Sequence, residues 1–245
     1  MRPVQPTRTL VVIPTYNEAE NILPLARDVL GQDPSLHVLV VDDASPDGTG
    51  ERVAEAGRSE PRLTLLARTG KLGLGSAYLA GFRHGLEHGY DWVVTMDGDG
   101  SHAPRFLPAL LAAARTSDLV VGSRYVPGGS VTEWNWVRRG VSRLANRYAA
   151  FVLGVGIHDL TAGFNAYRAE ALRRIGYDRV SSTGYAFQIE LKYRACRAGL
   201  RVTELPIKFV DRRHGKSKIP RAQALWTFLR VMQLRLFPPA VGRED

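Results

Sequence analysis

The motif Asp97-Gly98-Asp99 has the composition of a divalent-cation site, because it places two carboxylates one residue apart in a glycine-containing turn. Carboxylate oxygens are the ligands that Mg²⁺ and Mn²⁺ prefer, and these ions keep other positions open for water and substrate phosphates. Gly98 and Gly100 would leave room for a phosphate or a sugar beside the backbone. Taken alone, the motif also fits an ordinary turn in which Ser101 caps the next helix.

The residues before this motif predict the strand that positions it. Residues 92–96 form a short apolar run with β-branched side chains, which is typical of a strand buried on both faces of a parallel sheet. Similar runs predict strands at residues 10–13, 37–41, 63–66 and 118–122, with helices between them. This succession predicts one α/β domain, whose ligands would bind at the carboxyl ends of the strands.

The first two predicted loops at this edge carry polar side chains. Pro14 is expected to end the first strand, and Asn17 to cap a helix that runs to Leu30. Tyr16 and Glu18 in this loop could contact a base or ribose. The loop also fits a simple capped turn. After the second strand, an acidic side chain could accept the ring N–H groups of guanine or uracil.

The third loop, residues 68–77, is rich in glycine and cations and precedes a predicted helix that ends near Gly89. Such a loop suits anionic phosphates, although a surface connection is the alternative. The sequence has neither G-x-G-x-x-G after the first strand nor a Walker A motif, which weakens the case for a Rossmann dehydrogenase or a P-loop NTPase.

The net charge of +9 is concentrated near the carboxyl terminus. Residues 201–235 contain nine Lys or Arg residues but only Glu204 and Asp211 as acids. This distribution indicates an anionic partner: nucleic acid, an acidic membrane surface or a phosphorylated substrate. The single cysteine, Cys196, fits a reducing compartment. Because we find no signal peptide and no apolar run of about 18 residues, we expect a soluble or peripheral protein.

Residues 134–153 predict a helix with a basic face. Arg138 and Ser142 lie four residues apart and therefore share a side of the helix, which would suit an anionic ligand. The adjoining basic stripe consists of Arg139, Arg143 and Arg147. A basic face in water is the alternative, and it could fully explain Arg139 and Arg147.

Residues 222–237 predict a helix with one apolar half, which would lie at a membrane interface or dock on the domain or on a second subunit. We therefore expect a catalytic domain at residues 1–218 and a C-terminal amphipathic helix and tail at residues 219–245.

Five motifs occur in a fixed order along the chain. They are Pro14-Thr15-Tyr16-Asn17-Glu18, Val41-Asp42-Asp43-x-Ser45-Pro46-Asp47-Gly48-Thr49, Lys71-x-Gly73-Leu74-Gly75, Met96-Asp97-Gly98-Asp99-x-Ser101-His102 and Gly122-Ser123-Arg124-Tyr125. Together they resemble glycosyltransferase family 2, and most closely its dolichol/polyprenol-phosphate mannose synthases. The similarity covers about residues 9–218.

The resemblance implies a GT-A fold, a Rossmann-like and mostly parallel sheet flanked by helices, with GDP-mannose as donor. It also implies Mg²⁺ or Mn²⁺ on Asp97 and Asp99, the latter counted among the catalytic residues, with Ser101 at a third position where the family often has Gln. The matching nucleotide-binding residues are Pro14, Tyr16, Glu18, Asp43, Lys71, Gly98 and, in a basic loop before the last helix, Arg212 and Lys218.

The resemblance further implies that Arg124, Arg138 and Ser142 hold the phosphate of a lipid acceptor. Residues 159–165 match the family pattern D-x-T-x-G-F-R except that Asn165 replaces the arginine. Residues 185–190 would close the site from a later helix, although Phe187 fits a core residue and Glu190 a surface acid.

The expected reaction is inverting transfer of mannose to a polyprenyl phosphate, catalysed by a peripheral enzyme on the cytoplasmic face of a membrane, with a separate anchor protein as a further option. A phosphate acceptor is already anionic and needs no general base, and the sequence offers no convincing one. The alternatives are a related transferase that uses UDP-glucose or another donor, a non-catalytic nucleotide-sugar or nucleic-acid binding protein, and a nucleotidyltransferase.

Overall fold

A seven-stranded sheet lies at the centre of the computed structural model, which describes residues 7–211 and 222–242. The strands of this sheet are β1 (Thr9–Thr15), β2 (Leu36–Asp42), β3 (Leu63–Ala67), β4 (Trp92–Thr95), β5 (Leu119–Ser123), β7 (Asn165–Arg168) and β8 (Val202–Pro206). A separate pair is formed by β6 (Ser130–Val131) and β9 (Lys208–Phe209).

The spatial order of the strands is β3-β2-β1-β4-β7-β5-β8. All neighbours are parallel except β7, which runs antiparallel between β4 and β5. The carboxyl ends of the six parallel strands therefore share one edge, which also receives the amino end of β7. This mostly parallel sheet confirms the predicted fold class.

Helices cover both faces of the sheet, because alternate residues of the central strands point to opposite sides. In β1, Leu10 and Val12 belong to one buried cluster, whereas Val11 and Ile13 belong to the other. The helices of the described residues are α1 (Ile22–Leu30), α2 (Thr49–Gly57), α3 (Leu74–Glu87), α4 (Leu107–Ala114), α5 (Trp136–Leu153), α6 (Ala169–Ile175), α7 (Gly184–Arg197) and α8 (Ala222–Leu236), with short 3-10 turns at Pro104–Phe106 and Tyr177–Arg179.

Helix α3 lies unusually close to β1 because position 81 is glycine. A Cβ atom at Gly81 would lie 2.3 Å from Val12 Cγ1, which no side chain can tolerate. This close packing matters for the site, because the same helix carries Tyr78 towards the carboxyl edge.

Three predicted boundaries were wrong. Pro14 does not end β1, which continues to Thr15, because the backbone bonds near this position use the carbonyls of Val12 and Thr15. Asn17 is not a helix cap: it has a positive φ of 60°, its N–H donates to Ser45 Oγ, and α1 begins only at Ile22.

The helix predicted at residues 134–153 begins at Trp136, two residues later than predicted. Asn135 is its N-cap and accepts a 2.8 Å bond from the Arg138 N–H, so that Trp134 lies before the helix. Ser101 does not cap a helix either: the following 3-10 turn has Ala103 at its N-cap, and Ser101 Oγ bonds no backbone N–H of the described residues.

Glu190 is not the surface acid that was the simpler expectation, because it is fully buried. It bonds Arg194 of α7 at 2.9 Å and Arg230 of α8 at 3.1 Å, and it also accepts from Ser182. Burial raises the pKa of this carboxyl, but hydrogen bonds from Ser182 and the two arginines outweigh it and lower the pKa. An ion pair thus fastens α8 to the catalytic domain.

No helix within residues 7–211 and 222–242 has the length and apolar character that crossing a lipid bilayer requires.

Candidate active site

Asp97 and Asp99 follow β4 at the carboxyl edge of the sheet, as predicted. Asp97 Oδ1 accepts a 2.7 Å hydrogen bond from the Tyr78 hydroxyl, and Asp99 Oδ1 accepts a 3.0 Å bond from the Ser101 N–H. Burial, and then the charge of Asp97, raise the pKa of Tyr78 well above 10.0, so the hydroxyl remains a donor. Tyr78 of helix α3 thus holds the Asp97 carboxylate, a role that the sequence did not indicate.

His102 bonds the backbone of the same turn. Its Nδ1 accepts a 3.0 Å bond from the Asp97 backbone N–H, and its ring stacks on Phe164 at 5.2 Å. Because Nδ1 accepts this bond, the proton of the neutral ring lies on Nε2. His102 is buried and holds the backbone of the turn.

Two glycines allow the backbone to pack closely around Asp97. A Cβ atom at Gly163 would lie 3.3 Å from Asp97 Oδ2 and 3.3 Å from His102 Cε1. A Cβ atom at Gly98 would lie 3.2 Å from the Pro14 carbonyl oxygen. Gly98 therefore has a packing role of its own against β1, and its contact with a nucleotide remains a prediction.

The donor set fits a hard divalent cation. In the described part of the chain no three His, Cys, Asp or Glu side chains are grouped to hold a metal ion, so Asp97 and Asp99 would need further ligands. Donor phosphate oxygens and water supply such ligands to Mg²⁺. Among residues 7–211 and 222–242, Ser101 Oγ is buried without a hydrogen-bond partner, and its metal-proximal position stays a prediction.

The predicted nucleotide-binding residues come together where β1, β2 and β3 end. Lys71 Nζ lies 4.2 Å from the centroid of the Tyr16 ring, and Glu18 accepts a 2.9 Å bond from Asn21 Nδ2. Their contacts with a nucleotide remain predictions, as does the contact of Pro14.

Asp43 holds the glycine-rich loop in place. Its carboxylate forms an ion pair with Arg68 and accepts backbone N–H bonds from Leu72 at 3.0 Å and Gly73 at 3.1 Å. A base that binds Asp43, as predicted, must share or replace these donors. Arg68 was not singled out in the sequence, because nothing near it in the chain reveals its acidic partner.

Arg124 follows β5 and is held by a buried carboxylate. Its Nε and Nη2 atoms donate to the two oxygens of Asp159 at 2.8 and 2.7 Å, and Nη2 also donates to Thr161 Oγ1 at 2.7 Å. Burial would lower the pKa of Arg124, but Asp159 outweighs it and raises the pKa; the same pairing lowers the pKa of Asp159 despite its burial. Arg124 is therefore a permanently charged, rigid donor.

Arg138 and Ser142 lie near Arg124, and their predicted contact with an acceptor phosphate stays a prediction. Arg138 pairs with Asp211 at 2.8 Å, and its Cζ lies 3.9 Å from the centroid of the Trp134 ring. The Cζ of Arg124 lies 5.7 Å from the same centroid. Ser142 Oγ accepts a 2.6 Å bond from the hydroxyl of Tyr125, the residue that follows Arg124.

The cation cluster adjoins the carboxylate pair through aromatic contacts. Phe209 packs edge-on against the Trp134 ring at 5.7 Å and against the His102 ring at 5.6 Å. Because His102 bonds the backbone of Asp97, these contacts form a continuous path between the two clusters. The carboxylate pair of Asp97 and Asp99 and two guanidiniums thus share the carboxyl edge.

Comparison with known proteins identifies the family. The model of "Glycosyl transferase family 2" matches residues 10–176. The chain belongs to glycosyltransferase family 2. The resemblance that the motifs indicated is therefore confirmed.

Two curated members of glycosyltransferase family 2 are close relatives. The chain is 52% identical over 221 residues to the polyprenol monophosphomannose synthase of Mycolicibacterium smegmatis, which covers 89% of this chain and 83% of that protein. It is 50% identical over 216 residues to the undecaprenyl-phosphate mannosyltransferase of Micrococcus luteus, with 86% of this chain and 87% of that protein covered.

Solved structures share the fold at low sequence identity. Glucosyl-3-phosphoglycerate synthase from Mycobacterium tuberculosis, in complex with Mn²⁺, UDP and glucosyl-3-phosphoglycerate, has a TM-score of 0.66 at 21% identity and covers 96% of this chain and 81% of that chain. A mannosyltransferase from Pyrobaculum calidifontis in complex with GDP-Man and Mn²⁺ has a TM-score of 0.54 at 20% identity. The match covers 96% of this chain and 76% of that chain. The GT-A fold is thereby confirmed.

Asn165, which replaces the arginine of the family pattern, is buried at the start of β7. Its Nδ2 donates to the Ala162 carbonyl at 3.0 Å and to Gln188 Oε1 at 3.2 Å. The same carbonyl also accepts a 2.8 Å bond from Lys192 Nζ. The amine of a lysine therefore reaches this segment from helix α7.

Phe187 is a core residue, as its alternative interpretation predicted, because it is buried and stacks on Tyr78 at 6.2 Å. The predicted phosphate contacts of Arg212 and Lys218 lie outside the described residues.

Proposed function

We propose that the protein transfers mannose from GDP-mannose to a polyprenyl phosphate, giving polyprenyl phosphate β-D-mannose with inversion at the anomeric carbon. The observation that carries the proposal is the shared edge, where Asp97 and Asp99 adjoin Arg124 and Arg138. One cluster suits a metal-bound diphosphate and the other suits a second phosphate. The names of the two close relatives support both the sugar and the class of acceptor.

The choice of GDP-mannose as donor is supported by the Pyrobaculum calidifontis mannosyltransferase, a distant neighbour that binds GDP-Man with Mn²⁺. Asp43 could pair with the ring N–H groups of guanine, and it could do the same with those of uracil. A related transferase with a UDP-glucose donor is therefore the alternative that the donor assay must separate.

The acceptor phosphate attacks the anomeric carbon in line with the departing diphosphate. One phosphate oxygen forms the new bond to that carbon as its bond to the GDP oxygen breaks. Because the second pKa of a phosphate monoester is about 6, the acceptor is anionic at neutral pH and needs no general base. Arg124, which Asp159 holds rigid, and Arg138 orient the acceptor phosphate, and Ser142 donates a further hydrogen bond.

A divalent cation bound by Asp97 and Asp99 would neutralise the charge that develops on the departing diphosphate. The protein itself keeps the two carboxylates ready for it. Tyr78 holds Asp97, and the Ser101 N–H holds Asp99, so that little reorganisation is needed when substrate arrives.

The purified protein is expected to transfer radiolabelled mannose from GDP-mannose to a polyprenyl phosphate in detergent, and a chelator is expected to stop the transfer. Added Mn²⁺ or Mg²⁺ should restore it and show which metal works better. Extraction of the labelled lipid measures the product. The matched control uses the unphosphorylated polyprenol, which should accept no sugar because it lacks the anionic nucleophile.

Three results would contradict this proposal. Faster transfer from UDP-glucose would show that UDP-glucose, and not GDP-mannose, is the donor. Release of inorganic diphosphate instead of GDP would indicate a nucleotidyltransferase. Salt-sensitive binding to duplex DNA without any turnover would instead favour a nucleic-acid binding protein. We expect no such binding.

We further propose that α5 and α8 contact the membrane in which the lipid acceptor resides. On α5, Val141, Leu144 and Phe151 are 64%, 69% and 87% exposed and lie on one side of the helix. Tyr148 on this side stacks on Phe228 of α8 at 4.3 Å. The adjoining exposed residues are Val137 on α5, Arg143 and Arg147 beside it, and Leu225, Leu229, Met232 and Leu236 on α8.

An apolar stripe edged by arginines is typical of a helix at an anionic membrane surface. The protein is therefore expected to float with vesicles that contain phosphatidylglycerol and to bind neutral phosphatidylcholine vesicles less. The Leu144→Glu and Phe151→Glu double variant should lose most of this binding. Ala109→Glu, on an exposed position of α4, is the control for added negative charge.

Unchanged flotation of the double variant would show that another surface, or a separate anchor protein, attaches the enzyme. We place the site of action on the cytoplasmic face of the membrane, a proposal that the free thiol of Cys196 supports.

A further inference from the structure

Two guanidiniums of the same charge share the ring of Trp134. The Cζ atoms of Arg138 and Arg124 lie 3.9 and 5.7 Å from its centroid, and Phe209 packs against its edge. Like charges repel, whereas the negative face of an indole ring attracts cations, most strongly when water is excluded. Trp134 is only 7% exposed and Arg124 is buried, so the attraction between these two side chains acts in a nearly dry environment.

The two arginines are held in different ways apart from this ring. Arg124 pairs with Asp159, and both side chains are buried. Arg138 pairs with Asp211, and its side chain is 41% exposed. An exposed ion pair contributes little orientation. The contact with Trp134 is therefore the one that relates the position of the Arg138 guanidinium to that of Arg124.

The indole N–H of Trp134 has no acceptor. Nε1 is buried, and no hydrogen-bond partner for it exists in the structure of residues 7–211 and 222–242. A buried N–H without a partner is unfavourable, and native proteins rarely leave one unless a ligand or water completes it. An anion that binds between Arg124 and Arg138 would bring acceptor oxygens to the ring that both arginines contact.

We infer that Trp134 is a binding residue for the acceptor phosphate: its ring holds the two guanidiniums together, and its N–H donates a hydrogen bond to a phosphate oxygen. The inference rests on the proposed function, since it names a further contact in the same acceptor site. It also explains why this tryptophan lies before helix α5, where it can reach Arg124, and not within the exposed face of that helix.

Two substitutions separate the contributions of ring and N–H. Trp134→Phe keeps an aromatic face and removes the N–H, and it is expected to raise the KM for a short-chain prenyl phosphate about tenfold. Trp134→Leu removes both and is expected to raise this KM about a hundredfold. The KM for GDP-mannose should change much less for both variants, because within the described residues Trp134 contacts Asp97 only indirectly, through Phe209 and His102.

Trp136→Phe and Trp136→Leu are the matched controls, because Trp136 lies two residues further on and is 83% exposed. The soluble short-chain acceptor removes any membrane effect at that position. Thermal melting checks that each variant folds. Should Trp134→Leu fail to fold, the Trp134→Phe variant still tests the N–H, and Trp134→Tyr provides a second aromatic ring without it.

An unchanged acceptor KM in a folded Trp134→Phe variant would overturn the role of the N–H. Equal increases in the KM for acceptor and donor would overturn the inference as a whole, since they would indicate a structural role. Both outcomes differ from a failure of the proposed function, in which the wild-type enzyme itself would not use any prenyl phosphate.

Discussion

Replacing Asp99 with asparagine is expected to lower the rate of mannosyl transfer by about 100-fold or more. The neutral amide cannot balance the charge of a divalent cation, and it is a weaker ligand for Mg²⁺ and Mn²⁺ than a carboxylate. The turn should keep its shape, because an amide oxygen can still accept the Ser101 N–H bond. Initial rates at saturating substrates across a Mn²⁺ titration measure the effect.

A second measurement makes the result specific to metal binding. Mn²⁺ with GDP should raise the melting temperature of the wild-type protein and should leave that of Asp99→Asn almost unchanged. Asp28→Asn makes the same chemical change on the exposed side of α1 and should behave like the wild type in both assays. An Asp99→Asn enzyme with wild-type turnover would show that the metal-binding role belongs elsewhere.

The strands of the sheet could be predicted from the sequence because their signal is local. Runs such as Val11–Val12–Ile13 and Val93–Val94 are apolar and β-branched, and the structure buries them on both faces. The position of Asp97 and Asp99 at the carboxyl edge follows directly, since each loop begins where its strand ends. The same logic brought Arg124 to that edge from β5.

The wrong boundaries arose where a local signal competed with a distant contact. Asn17 has the right chemistry for a helix cap, but its backbone N–H bonds Ser45, 28 residues away, and the helix starts later. Trp134 continues the helical pattern, yet it leaves the helix to pack against Phe209. A pattern read along one segment contains no information about such partners.

Several residues that complete the site could not be found in the sequence for the same reason. Tyr78 looks like a core residue of a helix, and only the folded chain brings its hydroxyl to Asp97. Asp159 was noted as part of a motif, but its bidentate pair with Arg124 spans 35 positions. Glu190 looked like a surface acid because one of its partners, on α8, is 40 positions away.

Lys192 on α7 shows a further consequence of burial that the sequence conceals. Its side chain is fully buried, and Nζ donates to the Ala162 carbonyl at 2.8 Å. Burial lowers the pKa of Lys192 from 10.5 to about 7; Asp159 and Glu204 oppose this shift, whereas Arg124 adds to it. The ammonium group is therefore poorly stabilised in the folded protein at neutral pH.

The sign of the resulting pH dependence follows from proton counting. In the unfolded chain Lys192 keeps its proton up to about pH 10.5, whereas the folded protein releases it near pH 7. Between these values the unfolded state binds more protons. The free energy of unfolding should therefore rise with pH in this window, by at most roughly 1.4 kcal/mol per pH unit, which is the limit for one proton.

Lys192→Met is expected to remove this rise. Between pH 7 and pH 9 the free energy of unfolding should therefore increase more for the wild type than for the variant. The Ala162 carbonyl keeps its 3.0 Å bond from Asn165, which limits the damage of the substitution. Urea unfolding at pH 7, 8 and 9 measures the difference, with exposed Lys208→Met as control. The range stops at pH 9 because burial raises the pKa of Cys196 to about 11, and this shift lowers the free energy of unfolding above pH 9.

Parallel curves for the wild type and Lys192→Met would contradict this prediction. They would show that the buried amine keeps its proton throughout, because Asp159 and Glu204 stabilise its charge more than burial opposes it.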